Sequence, residues 1–205
     1  MPPSQRQIVL ASGSPRRKAL LEQLGFEPQV ERADVPEVPE PEEDAETYTR
    51  RLAESKAAAV ARRLTEGPRW VLAADTVVVF HDEILEKPTD PEDAVRMLLR
   101  LADTWHVVVT SFCWYDREKD RSATRTISTE VRFRAVDEAW VRRYVDTGEP
   151  MDKAGAYGIQ DLGAALVQKV SGSYSCVVGL PVCEVVQTLE ELGALTEFPF
   201  IPADS

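Results

Sequence analysis

Hydrophobic positions in this chain follow two rhythms, and the rhythms divide it into strands and helices. Trp70–Phe80 is an almost unbroken apolar run rich in valine, which predicts a central strand covered on both faces. Residues 105–115 and 122–133 alternate around the polar turn at 117–120 and read as a long hairpin. Shorter strands are expected at 8–11, at 28–33 and, after the turn His81-Asp82-Glu83, at 84–86. Helical spacing appears over Pro91–Leu101, where Ala94, Met97, Leu98 and Leu101 share a face and proline takes the first position. Ser14-Pro15 opens a helix that runs to Leu24 and stops at Gly25; Asp44 caps a longer one to about Leu64, closed by Gly67-Pro68. Asp137 caps a helix to about Asp146, and a last helix spans about 181–192. The stretch 148–181 is rich in glycine and serine and is expected to be mostly loop and short strand. Strands and helices interleave around long hairpins. The expected fold is therefore α/β (α+β): a mixed, twisted sheet flanked by helices, as a bilobed plate with a cleft. One domain is expected over 1–205, with flexible ends at 1–7 and 197–205.

Composition narrows the chemistry. With 205 residues, 43% of them hydrophobic, the chain can bury a full core. No apolar run reaches the ~20 residues of a membrane helix, and residues 1–7 lack the apolar core of a signal peptide, so no membrane partner and a cytoplasmic location are expected. The net charge of −11 argues against a nucleic-acid surface but not against an anionic small molecule. The 3 cysteines, Cys113, Cys176 and Cys183, form no CxxC pair, and only His81 and His106 could join them, so a zinc cage is not expected. Any metal should be a hard ion on carboxylates, such as Mg²⁺ or Mn²⁺.

Chemistry shows through at several places. Ser12-Gly13-Ser14-Pro15-Arg16-Arg17 lies at a strand-to-helix junction, where glycine admits a ligand and the helix start offers free N–H groups. Two arginines in a first turn oppose the helix dipole, which a bound phosphate chain would compensate; an ordinary capped helix with solvated arginines explains the motif equally well. Asp75 interrupts the apolar run Val71 to Val79, and a lone buried carboxylate there is a candidate metal ligand or general base. A strand-end aspartate capping a neighbour is the plainer alternative. Lys56 shares a helix face with Leu52 and Val60, Lys87 follows Glu86, and Lys153 follows Asp152. Each alone reads as a surface lysine, but together with Arg16, Arg17 and Asp75 they suggest a triphosphate-and-metal site. The glycine-rich blocks 155–160, 172–175 and 178–181 read by themselves as turns.

The blocks LASGSPRRKALLEQLG, RLAESKA, LAADTVV, EKP, VVVT, GEPMDKAGAYGIQ and GSYSCVVGLP run from Leu10 to about Val186, and in this order they resemble the Maf family of nucleoside triphosphate pyrophosphatases. DKAGAYGIQ is similar to its dTTP/UTP branch. The resemblance implies a Maf/ITPase-like fold with a central nucleotide-binding cleft, cleavage of the α–β phosphoanhydride of dTTP or UTP, a divalent cation and, as is frequent in the family, a homodimer. It places Asp75 as proton acceptor and metal ligand, with Glu37 as a second metal position. Ser12, Ser14, Arg16, Arg17, Lys56 and Lys87 match substrate and phosphate positions, and Arg16, Thr76 and Gln160 match positions that tune base selectivity. Gln160 carries a carbonyl and an NH₂ that suit N3–H and O4 of uracil or thymine; because the amide can flip, Gln160 alone does not reject cytosine, and part of that selectivity comes from elsewhere. Asp161 and Cys176 depart from the branch pattern and put the nucleotide preference in question. Rival readings are a non-catalytic, nucleotide-responsive regulator of septum formation and an enzyme acting on methylated guanine nucleotides.

Overall fold

The structure is a computed structural model and describes residues 5–200. Its frame is a 7-stranded sheet in the order β2-β1-β3-β5-β6-β7, with β4 paired to β3 off that path. The strands are β1 (Gln7–Leu10), β2 (Glu27–Val30), β3 (Trp70–Phe80), β4 (Glu83–Leu85), β5 (Trp105–Asp116), β6 (Arg121–Phe133) and β7 (Val167–Ser171). β1 runs parallel to β2 and β3; β3 pairs antiparallel with β4 and β5, β5 with β6, and β6 with β7. The sheet is thus mixed and flanked by helices, the expected class.

The side-chain period of β3 explains why it reads as apolar throughout. Trp70, Leu72, Ala74 and Val78 belong to the larger core on one face; Val71, Ala73 and Val77 pack on the other. That second face is covered by α2 (Ala45–Arg63), through Tyr48, Leu52, Ala53, Ala57, Val60 and Ala61. Three alanines on this stripe let the helix lie close to the strands. α1 (Pro15–Gln23), α3 (Pro91–Leu101), α4 (Glu138–Asp146) and α6 (Val182–Glu191) supply the first face. The indole of the fully buried Trp114 donates to Val185 O at 3.0 Å, so its polar atom costs the core nothing.

Helix starts follow the expected chemistry. Ser14, Asp44 and Asp137 accept from the backbone N–H three residues on, and Asp90 does the same before Pro91. The strand expected over 28–33 is instead Glu27–Val30. Its parallel register ends at Leu10↔Val30; Glu31 N still donates to Leu10 O at 3.0 Å, and beyond it β1 gives way to the loop at Ser12. The stretch 148–181 is also more ordered than loop and short strand. It holds 3₁₀ turns at Glu149–Asp152, Ala154–Ala156 and Leu162–Leu166, then β7 and the short helix α5 (Tyr174–Val178). Serine there is a cap rather than a loop residue, since Ser173 Oγ accepts from Cys176 N at 3.2 Å. The ends expected to be flexible lie partly outside the described residues, at 1–4 and 201–205. Within them, Phe198 and Phe200 pack on the core and Gln5 bonds Thr196. Among the described residues no helix is long and apolar enough to cross a membrane.

Candidate active site

A cleft of about 770 Å³ opens where β1 ends and β3 continues past it, a size that suits a small molecule. Alternation along β3 aims adjacent residues at opposite faces of the sheet. Asp75 turns toward α2, as Val71, Ala73 and Val77 do, and Thr76 turns toward α1.

Asp75 is not the lone carboxylate the sequence suggests. Its Oδ1 accepts from Lys56 Nζ at 2.6 Å, and both residues are 7% exposed. Lys56, four residues after Leu52 on the buried stripe of α2, is carried inward with its apolar neighbours rather than out to water. Its Nζ also meets Glu37 Oε1 at 2.7 Å, so one ammonium bridges two carboxylates. Glu37 comes from the loop after β2 and remains exposed on its far side. Burial pushes the Glu37 carboxyl up, but the hydrogen bond and charge of Lys56, with Lys87 and Arg17 behind it, hold it below the ordinary value.

Arg17 lies on the other face of β3, against Thr76. Its Nε donates to Gly179 O at 2.8 Å, and its two terminal nitrogens donate to Ser12 Oγ and Thr76 Oγ1, each at 3.1 Å. Every one of these acceptors is neutral. Desolvation lowers the Arg17 pKa, with Asp75 as a partial counterweight, so a cation is fixed in place without a carboxylate touching it. Such a group has charge to give an anion. Ser12 Oγ additionally accepts from Ser14 N at 3.2 Å, which sets the loop ahead of α1, and Ser14 lines the cleft as the N-cap. Thr76 Oγ1 is shared with Thr110 Oγ1 at 2.9 Å, so this hydroxyl is engaged in holding Arg17.

Arg16 sits nearer the mouth and pairs with Asp152 at 3.3 Å. Lys153 donates to Glu149 O at 2.5 Å and to Asp152 at 2.7 Å. Lys87 and Gln160 line the cleft and make no hydrogen bond or ion pair among the described residues. The cleft therefore gathers every expected site residue: Ser12, Ser14, Arg16, Arg17, Glu37, Lys56, Asp75, Thr76, Lys87 and Gln160. Asp161 and Cys176 are not among its lining residues. Cys176 is fully buried, with its Sγ 3.3 Å from Ile127 O.

Sequence reasoning missed several lining residues. Tyr48, buried on α2, donates to Glu86 Oε1 at 2.7 Å. Arg32 is exposed at the rim and, among the described residues, makes no hydrogen bond or ion pair through its side chain. Its guanidinium lies so close over Gly13 that a Cβ built there would stand 2.8 Å from Arg32 Nε. Nothing in the local sequence marks Arg32, which follows a strand of ordinary appearance. Tyr48 carried a weak signal, since it shares the apolar stripe of α2 with Leu52.

Chemically, Asp75 and Glu37 offer hard oxygen donors side by side on Lys56. A site of that kind suits Mg²⁺, which takes one or two carboxylates and completes its shell with water and substrate phosphates. Among the described residues no cluster of three or more His, Cys, Asp or Glu forms a closed metal cage.

Known proteins resemble this chain over most of its length. The family model described as "Maf-like protein" matches residues 7–192. A dTTP/UTP pyrophosphatase of Geobacter sulfurreducens is 49% identical over 189 residues, 92% of this chain and 98% of that protein. One of Hahella chejuensis is 49% identical over 192 residues, covering 93% and 94%. Among solved structures, the Ham1 protein of Staphylococcus aureus is similar at 14% identity and TM-score 0.49, over 91% and 99% of the two chains.

Proposed function

The chain belongs to the Maf family, and from that premise we propose that it hydrolyses dTTP and UTP to the nucleoside monophosphate and pyrophosphate. The observation that carries this reading is the Lys56 bridge. It holds Asp75 and Glu37 together on one wall, while Arg17, Lys87 and Arg32 face the same cleft with positive charge.

Each residue then has a task. Arg17, Lys87 and Arg32 neutralise the non-bridging oxygens of the triphosphate, and the guanidinium of Arg17 is held for this before substrate arrives. Asp75 takes the proton from the attacking water as the P–O–P bond between α and β phosphates breaks and pyrophosphate leaves. Lys56 orients Asp75 through their hydrogen bond, and its charge offsets the negative charge that develops at the reacting phosphorus. Asp75 and Glu37 are the residues that would hold a divalent cation, which when bound supplies Lewis-acid polarisation of the phosphate oxygens and a more acidic water. Gln160 meets the pyrimidine edge with its carbonyl and NH₂. Arg16, paired with Asp152, borders the same end of the cleft.

The test is product analysis with a panel of nucleoside triphosphates, in Mg²⁺, in Mn²⁺ and in chelator. Pyrophosphate and monophosphate from dTTP and UTP, with little from purines, support the reading. Orthophosphate as first product, or equal rates with every base, contradicts it.

A further inference from the structure

The residues that present Gln160 form a short loop with both ends fastened and its tip bare. At one end Tyr157 is buried, its hydroxyl 2.9 Å from His106 Nε2 and its ring edge-on to Phe133 at 4.7 Å. At the other end the loop re-enters through the 3₁₀ turn Leu162–Leu166. Gln160 and Asp161, between the two, are exposed, and the Gln160 side chain makes no hydrogen bond among the described residues. A bare tip can hold a recognition group steady only if its base is rigid.

That base is closed by two side chains outside the cleft lining. Gly158 N donates to Tyr144 Oη at 3.3 Å, and Tyr144 Oη donates to Glu149 Oε1 at 2.8 Å. The same Glu149 carboxylate accepts from Leu162 N and Gly163 N, each at 3.0 Å. One carboxylate and one phenol thus tie Gly158, ahead of the loop tip, to Leu162 and Gly163 just after it. The ends meet so closely that a Cβ built on Gly163 would stand 2.4 Å from Gly158 O and 2.5 Å from Tyr144 Oη. Only glycine fits between them. Backbone amides on an exposed turn are ordinarily satisfied by water; here the carboxylate of Glu149, at the start of the 3₁₀ turn Glu149–Asp152, takes them, which converts a soft turn into a defined one.

We propose that Tyr144 and Glu149 are positioning residues that fix the Gln160 loop and so set the pyrimidine selectivity of the site. The proposal rests on the reading of the cleft as a pyrimidine nucleotide site. Neither residue borders the phosphate wall, so their loss should blur the choice of base while leaving the chemistry intact.

The experiment uses the full chain with Tyr144→Phe, which keeps the ring and removes the hydroxyl, and Glu149→Gln, which keeps the shape and removes the charge. kcat and KM for UTP and CTP are measured alongside amide hydrogen exchange over residues 158–163. The UTP-over-CTP preference should fall about five-fold in each variant, with kcat on UTP within about two-fold, the size expected for losing a buried hydrogen bond that orients but does not react. Exchange over 158–163 should accelerate, and adding Tyr144→Phe to Gln160→Ala should cost no further selectivity. Unchanged preference, unchanged exchange, or a further loss of selectivity on top of Gln160→Ala would overturn the proposal. If the wild-type chain turned over no pyrimidine nucleotide, the functional reading would fall by itself; faster exchange in both variants would still establish the clasp, and unchanged exchange would remove it.

Discussion

On the phosphate wall Ser12 follows β1, and Arg17, Lys56 and Asp75 stand within α1, α2 and β3, each element fixed by its own backbone ladder; Gln160, opposite, hangs from a run of 3₁₀ turns. The first wall is crowded with charge already paired: Lys56 with Asp75 and Glu37, and Arg17 among three neutral acceptors. The second has a neutral amide at its tip and gets its order from an aromatic box and the Glu149 carboxylate behind it. The difference follows from what each wall has to do. Charge that must act on a phosphate during reaction gains from being held rigidly in advance, because little reorganisation is then needed. A base reader needs only one amide at the right height, and a braced loop supplies that.

The sharpest way to break the comparison is at Asp75. Asp75→Asn keeps the side-chain shape and leaves Lys56 its bond to Glu37, so the fold should persist while kcat on UTP falls at least about a thousand-fold. Circular dichroism with steady-state kinetics checks both; turnover within about ten-fold of wild type would remove Asp75 from the chemistry.

The base wall should show its own weakness in acid. Burial pushes His106, the partner of Tyr157, down to about 4, against an ordinary value near 6.5. The unfolded chain therefore takes up this proton before the native one does. Its contribution is fully present above about pH 6.5 and is lost as the pH falls toward about 4, at most about 3 kcal/mol. Urea midpoints between those limits should decline as the pH is lowered, and should decline less in His106→Phe. A flat wild-type profile contradicts the buried neutral imidazole.

A smaller effect separates the rim from the pre-paired interior. The Arg32 side chain has no hydrogen-bond or ion-pair partner among the described residues, so Arg32→Ala should raise KM for UTP about five-fold and hardly move kcat, as expected for one charge-assisted contact. An unchanged KM places Arg32 in solvent, away from the phosphates.

How much of this was legible in the sequence differs by wall. The SGSPRR junction and the AADT strand each carry their chemistry within a few residues on regular elements, so period and capping place them correctly. The pairing of Lys56 with Asp75 was not legible, because it joins α2 to β3 across the sheet face and local spacing says nothing of that. Glycine and serine over 148–181 suggested slack loop. In the fold Gly163 is where two strands of the loop touch, and Ser173 is a helix cap. Composition reports conformational freedom, whereas the 3₁₀ turns owe their order to partners far along the chain, such as Val78 against Gly155. Arg32 left no local sign at all, since it reaches the cleft only through the way β2 ends.

The most direct test of the division between the walls is kcat/KM for UTP and for CTP in Lys87→Ala beside Gln160→Ala. Both side chains line the cleft and neither holds the fold together, so each can be removed cleanly. Lys87→Ala should lower both substrates by the same factor and leave their ratio untouched; Gln160→Ala should collapse the ratio and spare the slower substrate. A ratio that moves with Lys87, or stays put without Gln160, would contradict the separation of chemistry from base reading.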